Sequence, residues 1–284
     1  MKKATVNFLS SMVIFGTIGL FVDAIPLNSG VIALFRGIMG LVFLLLVMAL
    51  TKQKLRFDVI KKELLLLCIS GGAMGLNWVL LFESYHHTTV ATATICYYLA
   101  PVFLVMASPL LGERLTGRKL VLLGVALAGM VFVSGVLKGG VSGGKGIVLA
   151  VGAAVLYASV MFLNKKLKNI TAYDKTVMQL AAAAVVILPY VLTTGGFAME
   201  EMTGVRYLLL AVVGVVHTGI AYWMYFGALG RLPSQSVALY SYLDPVIAVL
   251  LSALLLREDL GWQGILGAVL ILGSALCSEL PEKK

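Results

Sequence analysis

Two six-residue stretches hold the side chains best suited to chemistry: YYLAPV from Tyr97 and SYLDPV from Ser241. Each lies inside a long apolar run. In each, a tyrosine (Tyr98, Tyr242) precedes a proline (Pro101, Pro245) by three residues, and the second carries Asp244 where the first has Ala100. A carboxylate at the centre of a bilayer costs about 3 kcal/mol on insertion scales, so Asp244 is expected to face the protein interior. There it can mark a substrate path, exchange a proton, or pair with backbone freed by the kink. His217 falls at similar depth in another apolar run, and imidazole titrates near neutral pH. Asp244 with His217 could form a proton relay or the polar pole of a substrate site, although a lone membrane histidine more often serves as a helix-packing hydrogen bonder. Arg36 sits roughly 10 Å inside its run by helix rise. It could pair with Glu83 or hold a substrate carboxylate bidentately.

Around these charges stand aromatic and amide groups. Trp78, Tyr98, Tyr222 and Tyr242 lie mid-run with Trp223, Tyr97, Tyr225 and Tyr240 nearby, and a ring with a polar tip suits an amphipathic ligand. Aromatic belts sit at membrane edges, which fits mid-run tyrosines poorly. Asn77 adds hydrogen-bonding capacity, as do threonines between Thr88 and Thr94, for which packing is the leading reading. Glu113 and Glu258 end matching runs and predict capping or inter-helix roles. His86 and His87 have no third ligand in sequence range, so no metal is expected. Cys68, Cys96 and Cys277 lie in apolar runs without ligand spacing and read as small hydrophobes. No cofactor is implied. The segment LKGGVSGGKG lacks the G-K-[ST] ending of a phosphate loop, which removes direct nucleotide drive.

The elements that must position these groups are membrane helices. The chain has 284 residues, 60% hydrophobic and 12% charged, about half the charge of a soluble domain. Ten apolar runs reach spanning length: 5–23, 30–51, 64–84, 89–111, 118–137, 146–164, 176–193, 206–229, 234–256 and 262–279. The first follows Lys2 and Lys3 but lacks a small-residue cleavage site, so it reads as a span rather than a signal peptide. With ten spans, 17 Lys and Arg fall on one face against 4 on the other. By the positive-inside rule both termini are cytoplasmic in a cell-membrane protein. The net charge of +9 then reports orientation, and no nucleic-acid partner is expected.

The bends also reveal a repeat. An offset of 144 aligns Phe82 with Phe226, Tyr98 with Tyr242, Pro101 with Pro245 and Ser108 with Ser252; one further residue aligns Glu113 with Glu258. The expected organisation is a first five-helix repeat over 1–137, a glycine-rich linker over 138–145 and a second repeat over 146–284. Five spans per half would invert the second relative to the first, as in secondary transporters whose site lies at the repeat interface. The fold class is thus all-α integral membrane, with ten transmembrane helices as two inverted five-helix repeats. Proline kinks are tolerated in hydrocarbon beside protein or a wet cavity, so Pro101 and Pro245 are expected to shape a shared cavity.

The stretch LLGERLTGRKLVLLGVALAGMVF and its echo LLREDLGWQGILGAVLILGSAL, with the 5+5 layout, resemble EamA-type members of the drug/metabolite transporter superfamily. Arg257 stands where that pattern usually has glycine. The resemblance implies a carrier of small metabolites, often an exporter of amino acids or related compounds. The expected function is alternating-access transport of a small, zwitterionic or aromatic metabolite, with protons as a candidate coupling ion and the lipid bilayer as the other partner. A facilitative channel and an intramembrane enzyme using Asp244 and His217 are the alternatives; the former expects a ring of pore-lining polar groups. Gly71-x-x-x-Gly75 and Gly124 with Ala128 allow close helix approach within the fold or between protomers, which leaves oligomeric state open.

Overall fold

The computed structural model describes residues 2–111, 116–133, 143–167, 170–194, 197, 202–229, 231–232, 240–241, 243–258 and 260–279. Among these, seven helical segments are long and apolar enough to cross a membrane, and three shorter apolar helices accompany them. The elements are α1 (Lys2–Asp23), α2 (Ser29–Leu50), α3 (Phe57–Tyr85), α4 (Val90–Tyr97), α5 (Ala100–Ala107), α6 (Gly117–Val133), α7 (Gly144–Lys166), α8 (Ala172–Thr193), α9 (Gly204–Gly214), α10 (Ala221–Leu229), α11 (Leu243–Leu251) and α12 (Gly261–Glu279). No strand occurs among the described residues. The ninth expected run begins at 234, but residues 233–239 and 242 lie outside the described set, as do Glu113, 134–137 at the end of the expected first repeat and 138–142 of the expected linker.

Local chemistry starts these helices where the sequence allows. The Asn28 side chain accepts from the Gly30 N–H at 2.8 Å at the head of α2. Thr89 accepts from the Thr92 N–H at 3.0 Å at the head of α4, and Thr171 from the Asp174 N–H at 3.1 Å at the head of α8. Each cap satisfies one donor that the first turn leaves orphaned.

The first bend is an actual break. Pro101 has no N–H to offer the Tyr97 carbonyl, so α4 stops at Tyr97 and α5 starts at Ala100. The turn between them is tight: the Leu99 N–H reaches the Cys96 carbonyl at 3.1 Å. In the second half, α11 begins at Leu243 and holds Pro245 in its first turn; Tyr242, which marks the corresponding bend, lies outside the described residues.

Two π-turns interrupt the second half, at Val215–Ile220 and Ser252–Leu256. The latter gives a physical reason for the one-residue shift between Glu113 and Glu258. A π-turn holds one residue more than an α-turn, while the corresponding segment Ser108–Leu111 is a 3-10 turn, which holds fewer. The chain then turns sharply through Arg257, whose φ is 56°, a left-handed value that explains why glycine suits this position.

Without water to expel, membrane helices pack through small residues and hydrogen bonds. A Cβ on Gly71 would lie 2.6 Å from the Gln179 carbonyl, and one on Gly75 would lie 3.1 Å from the Ala183 Cα. The Gly71–Gly75 stripe is thus spent inside the chain, on α8. Asn77 fastens α3 to α7 by donating to the Ala153 carbonyl at 2.6 Å. On the far side α1 packs along α10 and α11, and α6 along α12.

Candidate functional site

Between these layers lies a cavity of about 160 Å³. α1 contributes Phe15 and Gly16, α2 contributes Arg36, and α3 contributes Asn77, Trp78 and Tyr85. Tyr97 and Tyr98 enter from the first bend, Tyr157 from α7, Tyr222 from α10 and Asp244 from the second bend. The volume is close to the ~150 Å³ that admits benzene and well below the roughly 300–1,000 Å³ of pockets for drug-sized ligands. It suits a small molecule.

The two bends meet directly. The Tyr98 hydroxyl donates to Asp244 Oδ2 at 2.8 Å, joining residues 146 positions apart across the two halves. Tyr98 caps the end of α4 and Asp244 lies in the first turn of α11, so each helix break delivers its polar group to the same point. Arg36, buried, lines the same cavity. Its guanidinium carbon lies 4.3 Å from the Trp78 ring centroid and 5.6 Å from that of Phe82. Its Nε donates to Thr218 Oγ1 at 2.8 Å, which in turn donates to the Val213 carbonyl at 3.2 Å. A weakly hydrated planar cation on an aromatic face is a favourable way to hold a charge in a dry place.

One anion, one cation and a wall of rings thus converge on one small space. Tyr97 stacks on Tyr157 with centroids 5.2 Å apart and donates to Asn77 Oδ1 at 3.3 Å. Asn77 therefore faces the cavity while its amide nitrogen serves packing.

Of the residues singled out in the sequence, Asp244, Tyr98, Trp78, Asn77, Tyr222 and Arg36 line this cavity, while Tyr242 is undescribed. Two pairings that the sequence allows do not form. Arg36 does not pair with Glu83, whose carboxylate instead accepts from Ser29 at 2.8 Å and meets His87 at 3.2 Å at the end of α3. Nor does His217 pair with Asp244. Its Nε2 meets the Thr17 hydroxyl at 2.8 Å, its Nδ1 lies 3.3 Å from the Val212 carbonyl, and its ring packs on Phe21. The π-turn at Val215–Ile220 directs His217 onto α1 and Thr218 onto Arg36. Tyr157 went unnoticed in the sequence, although a tyrosine midway along a long apolar run was the available signal. No cluster of three or more metal-ligating side chains occurs among the described residues.

Outside the cavity, the Glu258 carboxylate accepts from the Val90 N–H at 2.9 Å and the Ala91 N–H at 3.1 Å, and from the Ser252 hydroxyl. It caps α4, as its placement suggested. With Thr89 on Thr92, three N–H groups of the first turn are satisfied.

A model of the EamA-like transporter family matches the chain twice, over residues 2–135 and 144–279. The chain is 30% identical to the uncharacterized transporter YxxF of Bacillus subtilis, over 97% of this chain and 89% of that one. It is 32% identical to a probable amino-acid metabolite efflux pump of Escherichia coli, over 57% of each. A crystal structure superposes with a TM-score of 0.67 over 98% of this chain and 96% of its own, at 18% identity, and so shares the fold.

Proposed function

The chain belongs to the EamA-like transporter family and is a multi-pass membrane protein; from that premise we propose that it exports a small zwitterionic metabolite, an amino acid or close relative, by alternating access. The observation that carries this reading is that one partly buried carboxylate and one buried guanidinium, Asp244 and Arg36, line the same cavity walled by rings. Asp244 takes the substrate ammonium and Arg36 its carboxylate, which it can hold bidentately. Trp78, Tyr97, Tyr157 and Tyr222 flank the side chain. A cavity of about 160 Å³ favours a free amino acid over a lipid or a peptide. The E. coli relative is a probable amino-acid metabolite efflux pump, which supports both the substrate class and the direction.

The cycle follows from the repeat. Helix bounds in the first half recur in the second at an offset near 144: Lys2–Asp23 with Gly144–Lys166, Ser29–Leu50 with Ala172–Thr193, Gly117–Val133 with Gly261–Glu279. We read ten spans, five per half, with opposite orientation in the cell membrane and both termini cytoplasmic. Two mirror-related packings of such halves open the shared cavity to one side and then the other. Asp244 is also the group able to carry a coupling proton. The expected linker and the 1–137 and 146–284 boundaries belong to the same proposal.

The test is flux of a labelled amino-acid panel in proteoliposomes of purified protein. Saturable movement of at least one zwitterion, competed by its close relatives, is expected. Absence of saturable flux across the panel, with saturable flux of a purely cationic or anionic solute instead, would overturn the zwitterion assignment. Linear, non-saturating flux would favour a channel.

A further inference from the structure

We infer that Glu258 is a positioning residue of the transport cycle: its carboxylate latches the cavity shut on the face where α4 begins, and it must release Val90 and Ala91 for the cavity to open there. This rests on the alternating-access reading above, but its test does not depend on the substrate. The latch joins residues 168 and 167 positions apart, so it ties the two halves together rather than stabilising one helix by local contact. What it ties are the outer segments of the two bends, since α4 runs from Val90 to Tyr97 with Tyr98 as its cap, and α11 with its π-turn runs from Leu243 to Leu256, two residues before Glu258. These segments carry the Tyr98–Asp244 contact at their other ends, and they pack against each other. Separating them toward this face breaks both Glu258 bonds.

The site is built for making and breaking. A carboxylate at a helix N-terminus gains from two aligned N–H donors and the local dipole. Ser252 is fixed as a third donor by the π-turn, and its carbonyl accepts both the Arg257 N–H that closes the turn and the Glu258 N–H at 3.3 Å. The left-handed turn at Arg257 aims the side chain back at α4. At a membrane face, water can take over both the carboxylate and the freed N–H groups, so release exchanges partners instead of orphaning them. Val90 also packs close to Gly19 of α1, so the latch sits at a junction of three cavity helices.

The test uses the full chain in right-side-out and inside-out membrane vesicles, with Thr94→Cys as a reporter in the cavity wall and a membrane-impermeant maleimide as the probe. Labelling is read above that of the chain with its three native cysteines. Glu258→Gln keeps the shape but offers one acceptor oxygen for two N–H groups. It should raise reporter labelling from the α4 face about tenfold and lower it from the opposite face, because losing about one charge-assisted hydrogen bond shifts the equilibrium by that order. Ser252→Ala, which keeps the carboxylate, should shift labelling the same way by about threefold. A structural cap alone would lower Tm in both variants without changing the side from which the cysteine is reached, and that result overturns the latch. Flux of no amino acid, alongside a shift in sidedness, would instead count against the substrate assignment only.

Discussion

The two bends use one backbone device to different ends. At the first, the chain breaks at Tyr98 and Leu99, Ala100 is fully buried, and the polar contribution is a hydroxyl. At the second, the corresponding position is Asp244, and the contribution is a charge. Their neighbours differ to match. Gly16 of α1 lies so close to the second bend that a Cβ there would be 2.6 Å from the Asp244 carbonyl. Its counterpart at the 144-residue offset is Val160, which fills space on the cavity wall with an isopropyl group. A charged bend therefore sits against bare backbone, while a neutral one leaves room for a side chain. The lesson is that duplication supplies the kinks and divergence supplies the chemistry. Because Tyr98 and Asp244 come from different halves, the site exists only when both are packed together.

That contrast can be broken by substitution. The largest effect is expected from Asp244→Asn, which should reduce saturable flux about 100-fold, since truncating one partner of a buried charged contact costs roughly 2–5 kcal/mol. Arg36→Lys keeps the charge but loses the planar fork and the stacking on Trp78; substrate KM should rise about tenfold. Tyr98→Phe removes the hydroxyl that the neutral bend supplies, and flux should fall about fivefold, with a larger fall indicating that the hydroxyl also contacts substrate. Gly16→Ala should lower thermal stability by about 1–3 kcal/mol through overpacking, read as a drop in Tm. Gly152→Ala sharpens the comparison, because its Cβ would meet only the flexible end of Leu80 at 3.4 Å; a change within about 0.5 kcal/mol is expected.

Much of the architecture was legible because hydrocarbon demands long apolar runs, and the bounds of α1, α2, α8 and α12 fall close to the expected runs. The position of Asp244 was legible for the same reason, since a carboxylate in such a run has few places to go. Which neighbour a side chain faces was not. Depth allows Arg36 either to pair with Glu83 or to face a substrate, and the guanidinium turns to Trp78 and Thr218 while Glu83 turns to Ser29 and His87. His217 bonds Thr17 and packs on Phe21, the helix-packing role a lone membrane histidine most often has, but its partners were not legible: each residue turns a helix by about 100°, so a single π-turn redirects everything around it. No composition or spacing announces a π-turn. The repeat offered an indirect sign of one: the extra residue between Ser252 and Glu258 relative to Ser108 and Glu113.

The most direct measurement is amino-acid flux in proteoliposomes with and without an imposed proton gradient, comparing the parent chain with Asp244→Asn. A carrier centred on Asp244 predicts saturable flux accelerated by the gradient in the parent, with the acceleration lost and the residual flux small in the variant. Equal saturable flux in both proteins, indifferent to the gradient, would contradict it and reduce Asp244 to a partner that holds Tyr98 in place.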